Sequence, residues 1–167
     1  SSGRRRQPRS SGALVFLASV GYWTYKEILA NPGPVAVPAT VIGLPLTQKT
    51  VGPEAVTEVA RLHGREFPLT SGAMAIYGDG AVTLWVTGVP LGPLAADMVQ
   101  AMTDKIAEGR SPFTPVGVRS TPGRAVYELT GLGQRHFYFQ SGSLVVWLAA
   151  GETLAENALE QVTAFYP

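Results

Sequence analysis

The chain has 167 residues, with 13 Lys and Arg against 12 Asp and Glu, two His and no Cys. That length suits one domain with a short appendage. The missing cysteine excludes disulfides, thiolate metal sites, iron–sulfur clusters and a cysteine nucleophile, and leaves the redox compartment open. With 46% hydrophobic and only 15% charged residues, the composition argues against a disordered chain and against a nucleic-acid binder held by many phosphate contacts.

The near-neutral total conceals an asymmetry. Residues 1–9 hold four arginines, Arg4, Arg5, Arg6 and Arg9, and no acid; Ser10 to Tyr25 then form sixteen residues without a formal charge. From Ala39 onward there are 8 basic residues against 11 acidic ones, a net of −3. A basic head, the apolar run Ala13 to Val20, and the aromatic residues Tyr22, Trp23 and Tyr25 together predict a membrane anchor over residues 10–29. Its arginines would lie on the cytoplasmic side and its aromatics at the far interface. As a helix the uncharged run spans only ~24 Å, short of the ~30 Å hydrocarbon core, so Arg9 and Lys26 would have to snorkel or the bilayer thin. A cleaved signal peptide and an amphipathic or buried helix are the competing readings. The chain does not begin with Met, and a cytoplasmic portion ahead of Ser1 is one expectation.

Residues 30–39 include three prolines and a glycine between Asn31 and Pro38, which predicts an extended, semi-rigid spacer between the anchor and an extracytoplasmic domain over residues 40–167. In that domain Pro45 limits Val41 to Leu46 to a short edge strand or docking segment. A helix is expected from Gly52-Pro53 to Gly64, with Val56, Val59, Ala60 and Leu62 on its apolar face. Two strands follow, Leu69 to Tyr77 and Ala81 to Thr87, hinged at Gly78-Asp79-Gly80. Leu94, Met98, Met102 and Ile106 recur every fourth residue and predict an amphipathic helix from Pro93 to Glu108. Four extended runs come next, Pro115 to Arg119, Arg124 to Thr130, Gln134 to Gln140 and Ser143 to Ala149. A final helix from Thr153 to Phe165 lines up Leu154, Ala158, Leu159, Val162 and Phe165. The fold class is α+β: a mostly antiparallel sheet of about five to six strands packed by about three helices.

The candidate chemistry is sparse. If Gly131-Leu132-Gly133 is a three-residue hairpin loop, Glu128 pairs with His136 on one face, while Tyr127, Leu129, Phe137 and Phe139 point to the core. A carboxylate beside an imidazole can orient it as a general base; a solvated cross-strand pair is the simpler account. His63 sits near a helix C-terminus, where the dipole favours its protonated form. No HxxxH, G-x-S-x-G, P-loop or G-x-G-x-x-G pattern occurs, so no metal, nucleotide or other cofactor is expected. The run Arg135 to Phe139 has a basic-aromatic flavour, but the acidic body and the inward alternation of Phe137 and Phe139 count against nucleic-acid binding. Trp85 and Trp147 lie in strands, where core packing is expected.

These features predict a membrane-anchored extracytoplasmic binding domain, a non-catalytic accessory subunit whose partners are the lipid bilayer and other membrane protein subunits. Two alternatives stand beside it: an extracytoplasmic sensor or anti-sigma-like regulator domain, and a hydrolase or isomerase using Glu128 and His136 as an acid–base pair.

Overall fold

A computed structural model describes residues 19–24, 26–27, 33–57, 67–121 and 123–167 of the chain. Eight strands form one sheet: β1 (Thr40–Val41), β2 (Leu44–Val51), β3 (Ser71–Tyr77), β4 (Val82–Gly88), β5 (Thr114–Thr121), β6 (Arg124–Gly131), β7 (Gln134–Ser141) and β8 (Leu144–Ala150). Helix α1 (Gly92–Ala107) lies between β4 and β5, and helix α2 (Ala155–Phe165) follows β8. Spatial order is β1-β2-β3-β4-β8-β7-β6-β5, with every neighbouring pair antiparallel. Two meanders therefore meet at a β4–β8 seam. After β4 the chain crosses through α1 to the far edge, lays down β5, and returns strand by strand to the centre.

Both faces of the sheet are covered, each by a different helix. On one face Ala155, Ala158, Leu159 and Val162 of α2 pack on Val86, Val126, Phe137, Phe139, Val146 and Leu148. On the other, Ala95, Met98, Val99, Met102 and Ile106 of α1 pack on Leu129, Tyr138, Val145 and Trp147. This explains why β8 reads as an unbroken apolar run, Leu144 to Ala150: a strand buried on both sides has no polar face to alternate with. The α1 period holds, with Ala95 and Val99 joining the buried stripe and Leu94 partly covered. In α2 the expected inward Phe165 is 44% exposed, and Tyr166 fills the core position instead.

The α+β class is as expected, but the strand count is not. Eight strands replace the five to six foreseen, because the segment around Pro45 is a hairpin. Val41 pairs with Leu44 across Ile42 and Gly43, both at positive φ, and β2 then runs on through Lys49 to Val51. Thr47, Gln48 and Lys49 are exposed on this border strand, so it carries no apolar alternation for a pattern to detect. At the opposite border β5 is also largely exposed and is bulged between Pro115 and Gly117, where an edge tolerates proline.

Residues 53–57 are helical, opening at Pro53 as expected, with Val56 N–H bonded to the Gly52 carbonyl at 3.1 Å. The rest of that predicted helix, His63 included, lies outside the described residues. So do Arg4, Arg5, Arg6, Arg9 and Tyr25 of the predicted anchor. Residues 19–24 are helical, and among the described residues no helix is long and apolar enough to cross a membrane.

The described part of the spacer, residues 33–39, is extended as its prolines require, yet it lies on the body. Gly33 bridges Ser71 in parallel, its N–H bonded to Thr70 O at 2.9 Å and its carbonyl accepting from Gly72 N–H at 3.2 Å. Val35 and Val37 then pack on the α2-side core. Two phenols fasten the segment: Tyr166 O–H donates to Ala36 O at 2.7 Å and Tyr77 O–H to Pro38 O at 2.7 Å. Tyr77 is fully buried, and burial pushes its phenol up to about 12.

Candidate functional site

The β6–β7 hairpin decides what becomes of Glu128 and His136. Its loop is two residues, Leu132 and Gly133, both at positive φ (53° and 75°), with Gly131 paired to Gln134. That is the backbone of a type I′ turn, whose twist matches the flanking strands. The three-residue loop expected from Gly131-Leu132-Gly133 is corrected by this register. Glu128 faces Phe137, Leu129 faces His136, and Val126 faces Phe139. A one-residue slip sends alternate side chains to the other side of a sheet. Glu128, Phe137 and Phe139 therefore share the α2 face, while Tyr127 and Leu129 share the α1 face with His136. Gly131 belongs to the strand for a separate reason: a Cβ there would meet the Pro112 carbonyl at 2.6 Å and Phe113 at 2.8 Å.

On the α1 face His136 is buried and both its ring nitrogens are engaged. The Trp147 indole N–H donates to Nδ1 at 3.1 Å, and Nε2 lies 2.9 Å from Gly131 O. An indole can only donate, so Nδ1 must accept and the proton sits on Nε2, donated to the carbonyl. Burial lowers the imidazole below its ordinary value, outweighing the upward pull of the Gly131 bond. Phe113 meets the ring edge-on at 4.8 Å. The result is a neutral histidine fixing the hairpin against Trp147, with no lone pair left for a substrate.

On the α2 face Glu128 is held by two guanidiniums. Arg135 bonds Oε1 through Nε at 2.9 Å and Nη2 at 2.6 Å, and Arg119 Nη2 bonds Oε2 at 2.8 Å. Both arginines continue to Glu156 in the first turn of α2, Arg119 at 2.7 and 2.8 Å and Arg135 at 2.6 Å. Burial pushes the Glu128 carboxyl up, but the hydrogen bonds from Arg119 and Arg135 prevail and hold it below the usual range. The same two arginines bring Glu156 down to about 2. A carboxylate so stabilised as its anion is a poor proton acceptor. The cluster ties α2 to β5, β6 and β7, and the residues proposed as an acid–base pair serve on opposite faces.

Pattern reading missed the row of aromatic side chains that crosses the α1 face. Tyr127 stacks on Tyr138 at 4.8 Å and Tyr138 on Trp147 at 5.4 Å, with Trp85 the next cross-strand position. Each falls on a different strand, so only the register aligns them. The Tyr138 hydroxyl is 2.8 Å from that of Thr103, which ties the row to α1.

Several surfaces remain open among the described residues. A cleft of about 450 Å³ lies between α1 and the ends of β6 and β7, bordered by Val99, Gln100, Arg124, Tyr127 and Gln140. At the other end of the described chain, Val20, Tyr22 and Trp23 are 47%, 59% and 71% exposed, with Lys26 Nζ 5.5 Å from the centre of the Tyr22 ring. No protein-family model matches the sequence, and neither a curated protein nor a solved structure matches the chain significantly.

Proposed function

We propose that this chain is a membrane-anchored, extracytoplasmic binding domain, acting as a non-catalytic accessory subunit of a larger membrane protein complex. The observation that carries the reading is the exposure of Val20, Tyr22 and Trp23 on a helical stretch. This stretch overlaps the end of an apolar run headed by four arginines. Indole and phenol rings beside a lysine favour the interface between lipid and water, and arginines favour the cytoplasmic side of a bilayer. The body supports a binding role by its chemistry. His136 and Glu128 are spent on packing and ion pairing, and what faces solvent is cleft and strand edge.

The test is membrane fractionation of the full chain at native expression, followed by protease treatment of intact cells stripped of their outer barriers. Retention in the membrane after an alkaline wash, with the body digested from outside, is the expected outcome. Recovery of the intact chain in the aqueous fraction would overturn the assignment. Purification in mild detergent tests the accessory role separately: a partner should co-isolate in fixed proportion, and isolation alone would remove that role.

A further inference from the structure

The two borders of the sheet are finished differently. β2 is covered over Leu44 and Pro45 by β1 and exposes Lys49, a charge that discourages pairing with a further strand. β5 has no strand beyond it among the described residues. Every residue of β5 but Arg119 is exposed, Val116 and Val118 at 58% and 56%, and its one charge, Arg119, is bound inward to Glu128 and Glu156. The bulge between Pro115 and Gly117 protects only the first half of this edge, and Val118 to Thr121 continue without one.

The register says which main-chain groups are free. Thr121 and Arg124 close a hairpin loop of two residues and so form a hydrogen-bonded pair; alternation along an antiparallel ladder then commits Arg119 and Gly117 to β6 as well. Val118 and Ser120 therefore turn N–H and C=O outward. A second copy would meet this edge about a two-fold axis perpendicular to the sheet, which keeps like faces on the same side. An axis at Arg119 would set two guanidiniums opposite each other, and an axis at Ser120 would require an N–H from Pro122, which has none. An axis at Val118 meets neither obstacle. It places Val118 against Val118 and Arg119 against Gly117, with the apolar contact on the α1 face, where Val118 already lies beside Tyr127 at the end of the aromatic row.

We propose that β5 is the dimer interface of this protein, pairing antiparallel with β5 of a second copy about an axis at Val118 to give one continuous sheet. The interface stands on the body alone and does not depend on the membrane anchor or on an accessory role.

The test uses the full chain in mild detergent. Sedimentation should show a monomer–dimer equilibrium as concentration is raised to several hundred micromolar. Because the chain has no cysteine, Val118→Cys carries a single thiol, and mild oxidation with copper phenanthroline should join two copies, since paired strands hold their Cα atoms within disulfide reach. Gln48→Cys, exposed on the opposite border strand, should cross-link far more slowly. Val118→Lys, at a solvent-exposed position that does not risk the fold, should weaken self-association by about tenfold or more by setting two ammonium groups on the axis. A monomer at every concentration, cross-linking no faster in Val118→Cys than in Gln48→Cys, or a dimer that Val118→Lys leaves unchanged would overturn the proposal. The last of these would place self-association elsewhere on the chain.

Discussion

Leu132 and His136 show how much a single residue decides in this fold. Leu132 is 73% exposed and sits at φ 53°, where a Cβ crowds the following carbonyl. Leu132→Gly should therefore raise stability by about 1 kcal/mol, read as a higher thermal midpoint with an unchanged fold. His136 makes the opposite case, a residue whose charge state the fold dictates. Its folded pKa lies below the ordinary 6.5, so the unfolded chain binds a proton that the native state refuses. Its contribution to stability is complete above pH 6.5 and is lost progressively as pH falls from there through the lower folded value. His136→Gln should cost about 1–3 kcal/mol at pH 8 by leaving the Trp147 N–H poorly matched. The gap between the two proteins should narrow toward pH 5 in urea unfolding; a gap independent of pH would contradict the lowered imidazole. Sequence reading reached both residues but not their geometry. Gly131-Leu132-Gly133 looks like a loop of three, whereas Gly131 is needed in the strand to clear Pro112 and Phe113. That single displacement moved Glu128 and His136 to opposite faces.

At the scale of elements, apolar period and turn residues made α1, α2 and strands β3 to β8 legible within a residue or two. The border strand β2 was not legible because its outward residues Thr47, Gln48 and Lys49 answer to solvent, and only pairing with β3 holds them extended. The docking of residues 33–38 was also hidden, since prolines predict an extended backbone without saying what it touches. Tyr77→Phe removes a buried donor from Pro38 O and should cost about 1 kcal/mol. Faster hydrogen exchange at the Gly33 and Gly72 amides would accompany it. For α2, the carboxylate of Glu156 is lowered to about 2 from an ordinary 4.5, so its share of the docking is present above pH 4.5 and lost progressively toward pH 2. Glu156→Gln should flatten the acid limb of the unfolding curve in that window while leaving the His136 limb untouched.

For the whole molecule, the β4–β8 seam is the decisive junction. The two meanders are local in sequence, but Val86 pairs with Val146 and Trp85 with Trp147, partners far apart along the chain. Val146 is fully buried, and Val146→Ala should cost about 2 kcal/mol through lost burial and the space left behind. Because both cores touch the seam, tryptophan fluorescence and backbone circular dichroism should shift together in that variant. Separate transitions would show that the two halves fold independently.

The strap at residues 33–38 also sets how the protein bears load. Gly33 runs parallel to the start of β3, and the Ala36 and Pro38 carbonyls are gripped further along the same path. Tension arriving from the N-terminal side would strain these attachments side by side instead of peeling them in turn. The globule would resist such a tug as a unit, and the force would enter at β3 and at the end of α2.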